Sequence, residues 1–445
     1  MVSLEKILFN FLQEHADLKA PVLLALSGGP DSLALYTLLL KYRSLHPLHF
    51  GVAHVDHGWR EESGHEALAL EKMASQNKHP FHLKKLDRRS NRNLEEAARN
   101  ERLNFFSQLC ASHRYQAVLL AHHADDLAET VLKRILESAH LTHLGGLRAC
   151  SKIRSLKLWR PFLQVDKKEI MEWLKQQGLQ GFEDLTNFDS RFLRGKLRTS
   201  IIPQLSEDFG KDVSKSLQRL GREAEELRDY FEDILEKEIQ RIEVGPRGLF
   251  LDLSQARPMH ILELQYLLRR FCEKGSFCLS RSQLKTAEEI ICRKGSNKRI
   301  EGNGKRLILD RGRMFLMNLE TEVLPEEAVL LKPGSVLRYG PWEVSVFEGR
   351  HSHAKGGWKA VWEGECSISL TSGSYALALP SLDPKICKWW SNEKVPAFLR
   401  RQTPVVLEKD QIKHEFLTGR QFLLKELEEA KITIALRYVS QESHP

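Results

Sequence analysis

Paired cysteines are missing from this 445-residue sequence. Its seven cysteines, Cys110, Cys150, Cys272, Cys278, Cys292, Cys366 and Cys387, are scattered, with no C-x-x-C and no Cys/His spacing of the zinc-site kind. That argues against a zinc site and for reduced, buried thiols. Long apolar runs are missing too: none reaches the roughly 18–20 residues that a bilayer span requires. Residues 1–18, MVSLEKILFNFLQEHADL, carry acids inside their apolar pattern. They read as an amphipathic helix and not as a signal peptide. The expectation is a cytoplasmic protein with no membrane partner. Internal repeats and low-complexity tracts are absent. So is any G-x-x-x-x-G-K-[ST], which excludes a Walker A loop.

What is present is an ordinary globular composition, 42% hydrophobic and 28% charged, in a chain long enough for two or three domains. The net charge of +8 permits a polyanionic partner without requiring one. Basic residues concentrate in RRSNRN (88–93) and RFLRGKLR (191–198). Each segment reads either as a solvated loop or as a contact for such a partner.

Residues 1–210 alternate apolar runs (22–26, 49–55, 117–121) with helix-period segments (32–43, 63–77, 124–138), and 166–177 adds a helix with Asp166 at its N-cap. This alternation predicts an α/β fold, a doubly wound parallel sheet with helices on both faces. Residues 211–322 read as a mainly helical middle domain. It has long amphipathic helices over 211–241, 259–273 and 281–293, then short strands over 298–318 turned at Gly302-Asn303-Gly304 and Gly312. From 323 to 445, rising Gly, Pro, Trp and β-branched content suggests a small α+β domain.

The chemistry starts at 22–34, VLLALSGGPDSLA. A strand that ends in Ser27-Gly28-Gly29 and restarts as a helix at Pro30-Asp31-Ser32 presents backbone N–H groups at a helix N-terminus. Glycine lets a ligand approach the backbone closely, so this is an anion site, most naturally for phosphate. Asp31 would repel a phosphate unless a divalent cation bridged them. The alternative is an ordinary capped turn, with Ser27 or Asp31 as the cap.

In AHHADDLAET (121–130), a helix starting near Ala124 puts Asp126 and Glu129 on one face, with Asp125 and Glu129 four apart and His122 just before it. Close carboxylates invite a cation such as Mg²⁺, or form only a solvated acidic helix start. His122 is either a polar contact or proton carrier, or a satisfied structural histidine. In NLEEAARNER (93–102), Asn93 and Glu96 have capping-box spacing, and Arg99 and Arg102 share a face.

SGGPDS is similar to the pyrophosphate (PP) loop of the N-type ATP pyrophosphatases, which split ATP at the α-phosphate. His54-Val55-Asp56-His57-Gly58-Trp59-Arg60, NLEEAARNER, AHHADDLAET, Arg160-Pro161-Phe162-Leu163, EDLTNFDSRFLRGKLR (183–198) and KVPAFLRRQTPVV (394–406) each resemble a motif of the lysidine synthases within that superfamily. Ala121 and Leu127 replace a Gly and a Gln of the family pattern, Gly195 replaces an Asn, and of its loop over 138–147 only Gly146-Leu147 survive.

The resemblance implies ATP and Mg²⁺ as cofactors. It implies L-lysine and a tRNA(Ile) with a CAU anticodon as partners, lysine being joined to C2 of the wobble cytidine. By the same resemblance, Ser27, Gly28, Gly29, Pro30, Asp31, Ser32 and His54 would bind nucleotide. Asp31, Arg99, His122, Asp126 and Glu129 would be catalytic; Asp31, Asp126 and Glu129 would hold metal, or Asp126 and Glu129 would orient the lysine ammonium. Asn187, Arg191, Arg194 and Arg198 would contact RNA. The nearest rival, a tRNA 2-thiolase, usually brings paired cysteines. A non-catalytic RNA-binding protein on the same scaffold is a further alternative. Whether the chain forms a homodimer is left open.

Overall fold

A computed structural model describes residues 3–56, 63–86, 94–153, 155–181, 193–319, 324–349, 356–380, 383–418 and 431–439, side chains at 63 and 94–96 excepted. The chain divides into two compact units, residues 1–230 and 231–445.

In the first unit, helix α1 (Leu4–His15) is capped by Ser3 and buries Leu4, Leu8 and Leu12, one face at helical spacing. The apolar run becomes strand β1 (Val22–Ala25), followed by α2 (Pro30–Leu45) and β2 (Phe50–Asp56). Then come α3 (Ser63–Gln76), β3 (Phe81–Lys85), α4 (Leu94–His113), β4 (Val118–Leu119) and α5 (Ala124–Leu136). A hairpin of β5 (Cys150–Ile153) and β6 (Leu156–Trp159) leads to α6 (Lys167–Gln176). The sheet order is β3-β2-β1-β4-β6-β5, parallel except for the β5 edge. Crossovers therefore run outward from β1 to β2 and β3, then return to place β4 on β1's other side. The carboxyl ends of β1 and β4 flank this switch point, where open parallel sheets bind ligands.

The chain continues through α7 (Leu193–Lys196), a π-helical turn (Leu197–Ile201), α8 (Ile202–Asp208) and α9 (Val213–Ile234). Leu197, Ile202 and Leu217 pack with Leu127, Ala128 and Val131, so α5 is held from behind by an apolar seam.

In the second unit, α10 (Glu236–Gln240), α11 (Ile261–Lys274) and α12 (Arg281–Cys292) accompany β7 (Glu243–Gly245), β8 (Gly248–Asp252), β9 (Lys298–Gly302), β10 (Lys305–Asp310) and β11 (Arg313–Asn318). These strands form an antiparallel sheet, β7-β8-β11-β10-β9, with turns at the expected glycines. Alternate residues serve two cores. Leu249, Leu251, Met314 and Leu316 pack with Leu267 and Phe271 of α11. Phe250, Phe315 and Met317 join Trp342 and Trp362 of the C-terminal region.

That region holds β12 (Val329–Leu331), β13 (Val336–Tyr339), β14 (Trp342–Glu348), β15 (Glu365–Leu370), β16 (Tyr375–Ala378), β17 (Val405–Glu408), β18 (Gln411–Glu415) and β19 (Ile432–Tyr438). They form two four-stranded sheets, β12-β16-β17-β18 and β13-β14-β19-β15, with α13 (Trp358–Glu363), α14 (Pro384–Asn392) and α15 (Ala397–Gln402). The architecture is thus an N-terminal parallel sheet, a helical middle region and a small C-terminal α+β domain.

All seven cysteines are free, as expected, but not all are buried: Cys278 and Cys292 are exposed. Cys292 ends α12, of which only Leu284, Ala287 and Glu288 are buried.

Candidate functional site: the ends of β1 and β4

Gly29 is the N-cap of α2 and Pro30 follows at the first turn, where its missing N–H costs nothing. No side chain caps this helix, so the reading of Ser27 or Asp31 as a cap does not hold. Instead the loop is braced by hydroxyls. Ser32 Oγ accepts from Gly28 N at 3.1 Å, donates to Gly29 O at 2.9 Å and lies 3.1 Å from Ser27 Oγ. Gly28 has φ +90°, a conformation that glycine alone adopts cheaply. His54 is buried, and its Nδ1 donates to the Leu26 carbonyl at 2.8 Å, tying the end of β2 to the start of the loop.

Asp31 makes no cap bond and is held instead by α6. Lys167 Nζ, in the first turn of α6, donates to both of its carboxylate oxygens at 2.5 Å. Asp166 occupies the α6 N-cap position as expected, but its side chain makes no cap bond. Behind the loop, Gly181 comes so close that a Cβ there would sit 2.7 Å from Pro30 N and 2.8 Å from Pro30 Cα.

Across the switch point, His123 Nε2 lies 3.8 Å from Asp31 Oδ2 and 3.6 Å from Asp126 Oδ2. Asp126 also accepts from the His123 amide at 3.0 Å. Its other oxygen accepts from Arg198 Nη2 at 2.8 Å, while Arg198 Nε donates to Glu129 Oε1 at 2.6 Å. Burial opposes charge on Asp126, yet His123, His122, Arg198 and that amide together hold its carboxyl below the usual value. Burial dominates at Glu129 and pushes its carboxyl up despite Arg198. Asp125 turns aside to Ser214, 3.4 Å away.

His122 accepts from Arg160 Nε at 3.2 Å through Nδ1. Burial drives its pKa down to about 4, so the ring is neutral at pH 7 and serves as an acceptor. Arg160 is itself buried and also donates to Arg148 O and Ser151 Oγ. Burial, then repulsion from Arg99, lowers its pKa to about 10. Arg102 is lowered likewise by burial, Arg194 and Arg99. Arg160, Arg102 and Arg194 each act on His122 by like-charge repulsion, and Arg99 acts on Arg160 and Arg102, so positive charge accumulates on this side of the site, an arrangement suited to an anion.

Asp31 with Asp126 or Glu129 was expected to hold a metal, or Asp126 and Glu129 to orient the lysine ammonium; in the structure each of these carboxylates has a basic partner, and among the described residues no group of three or more metal-ligating side chains assembles. Arg198 was expected on RNA; it is turned inward onto the acids. The donor set still fits Mg²⁺ held by one or two carboxylates plus nucleotide phosphates, the usual mode for that ion, with Asp31 beside the uncapped helix end. Lys167 and Gly181 carried no sequence signal, since their partners Asp31 and Pro30 lie far along the chain; Arg160 and His123 lay inside recognised motifs but were given no role there. His57, Gly58, Trp59, Arg60, Asn93, Asn187 and Arg191, and the side chain of Glu96, lie outside the described residues.

A protein-family model described as a PP-loop domain matches residues 3–205. A glycine loop after β1, at the switch point of a parallel sheet, is the site of that domain class. The tRNA(Ile)-lysidine synthase of Protochlamydia amoebophila (strain UWE25) is 37% identical over 441 residues, 97% of this chain and 96% of that one. The chain belongs to the tRNA(Ile)-lysidine synthase family. The synthase of Chlamydia trachomatis serovar D is 38% identical over 261 residues, 58% of this chain and 79% of that one. Among solved structures, the U34-tRNA thiolase NcsA from Methanococcus maripaludis aligns with a TM-score of 0.41 and 17% identity, covering 49% of this chain and 77% of that one.

Proposed function

We propose that the protein is an ATP-dependent ligase that joins L-lysine to C2 of the wobble cytidine in the CAU anticodon of tRNA(Ile), acting in the cytoplasm. ATP adenylates the C2 oxygen and pyrophosphate leaves; the lysine ε-amine then attacks C2 and AMP leaves. The observation that carries this reading is the meeting of Asp31 and Asp126 at His123, which sets the glycine loop against the acidic face of α5. One end of that arrangement suits a polyphosphate and the other suits an amine. Membership of the synthase family supports the RNA substrate.

In this reading the uncapped amides of α2 and the glycine loop hold the pyrophosphate, stabilising the charge it gains on departure. Arg99 and its neighbours face phosphate oxygens of nucleotide or RNA. Asp31 would hold Mg²⁺, which supplies charge neutralisation at the phosphates. Asp126 and Glu129 hold the lysine ammonium, and Glu129, its carboxyl pushed up by burial, is suited to take a proton from it. An anticodon loop presents unpaired bases that can enter such a crevice. No helix among the described residues is long and apolar enough to cross a membrane.

The test is direct. Incubation with ATP, labelled lysine and total tRNA should give label in one tRNA species, recovered as lysidine after digestion, with AMP and pyrophosphate formed. ATP turnover without label in RNA would refute the assignment.

A further inference from the structure

The guanidinium of Arg198 takes one oxygen from each acid of α5: Nη2 to Asp126 Oδ1 at 2.8 Å and Nε to Glu129 Oε1 at 2.6 Å. Asp126 Oδ2 is already used by the His123 amide. That leaves Glu129 Oε2. It is buried, in a side chain only 2% exposed, and has no hydrogen-bond partner among the described residues. A buried carboxylate oxygen without a donor is costly, and native proteins keep few of them without a purpose.

We propose that Arg198 is the selectivity residue of the amine subsite: by occupying one edge of the Asp126–Glu129 pair, it leaves a single acceptor that takes a compact alkylammonium and refuses a second guanidinium. The inference rests on the lysine-ligation reading above. A guanidinium binds carboxylates through a planar fork and needs two acceptors in register. With Arg198 in place, the fork position is filled, and another guanidinium would find one oxygen and a like charge. An ammonium is a point charge with three rotatable donors and is satisfied by one strong acceptor. The lysine-versus-arginine choice is then made by a residue of the enzyme that is itself an arginine. Arg198 touches the acids and acts through them, so it is a positioning residue.

The test compares L-lysine incorporation into tRNA, with L-arginine as competitor, for the wild-type chain, Arg198→Ala and Arg198→Lys. Wild type should be inhibited by arginine at least 100-fold more weakly than unlabelled lysine competes. In Arg198→Ala, the fork position opens, and the preference for lysine over arginine should fall at least tenfold in the competition constants. Arg198→Lys returns a cation without a fork and should recover part of the preference. A role confined to structure would lower activity without making arginine a better inhibitor. Strong arginine inhibition of wild type would overturn the proposal without recourse to any variant, as would an unchanged preference in Arg198→Ala that still incorporates lysine. Should Arg198→Ala fail to fold, as judged by its melting temperature, the wild-type and Arg198→Lys arms decide. If wild type incorporates no lysine, the ligation reading itself has failed, which is a distinct outcome.

Discussion

Lys167 and Asp31 are 136 residues apart in sequence and form a two-point ion pair at 2.5 Å beside the glycine loop. The pair joins the start of α6 to the start of α2. Replacing Asp31 by Ala should abolish pyrophosphate release from ATP, a loss of roughly 100-fold or more if the residue organises charge at the leaving group. Lys167→Met should cost less and act mainly on the KM for ATP. Pyrophosphate release assays on the two variants check both, and full activity in Asp31→Ala would remove the loop from the mechanism.

Gly181 offers a test far from the chemistry in sequence. A methyl group there meets the Pro30 backbone at 2.7–2.8 Å, and backbone cannot swing aside as a side-chain tip can. Gly181→Ala should displace the loop, and a shift of about 1 Å at reacting groups costs roughly 100-fold. ATP-dependent turnover should fall while tRNA binding, measured by filter retention, stays near wild type.

The basic run 191–198 should divide by function. Arg194 is exposed, whereas Arg198 is bound to the acids. Arg194→Ala should weaken tRNA binding and lower the slope of log affinity against log salt by about one contact. Arg198→Ala should leave that slope nearly unchanged and lower turnover. Binding isotherms between 50 and 200 mM salt (a range of about that width suffices) separate the two.

His414 tests the second unit. It is only 2% exposed, and burial pushes its pKa from 6.5 down to about 4. In the unfolded chain the ring returns to its ordinary value, so between about pH 6.5 and 4 the unfolded state binds the extra proton. Its contribution to stability is intact above that window and is lost as pH falls through it. At about 1.4 kcal/mol per unit the whole effect is at most roughly 3.5 kcal/mol. Urea midpoints should fall across this window, and His414→Gln should flatten the fall.

The strands and helices around the site were legible because they alternate and because their apolar spacing is regular: β1, β2, α2 and α5 lie within a few residues of expectation. Strand β3 was not, since three of its five residues are exposed and lysines end it. Strand β8 was hidden because its two faces meet different cores, which erases the alternation of apolar and polar residues, and β7 because it is three residues long with two of them exposed. The site residues were nameable by motif, but their partners were not. That Arg198 would face Asp126 and Glu129, 69 to 72 positions away, depends on tertiary packing alone.

The π-helical turn at Leu197–Ile201 has a consequence for tolerance to change. A π turn is an α-helix carrying one residue too many. Deleting a single residue from 199–201 would let the segment rewind as a regular helix, leaving every named contact residue in the sequence. The five residues of a π turn sweep about the same angle as four residues of an α-helix, so α7 and Arg198 would keep their facing toward the acids of α5. The clocking of one guanidinium against two acids is therefore buffered by a surplus residue with no chemistry of its own, whereas a deletion in the regular turns of α8 would swing Arg198 by about 100° relative to the rest of that helix.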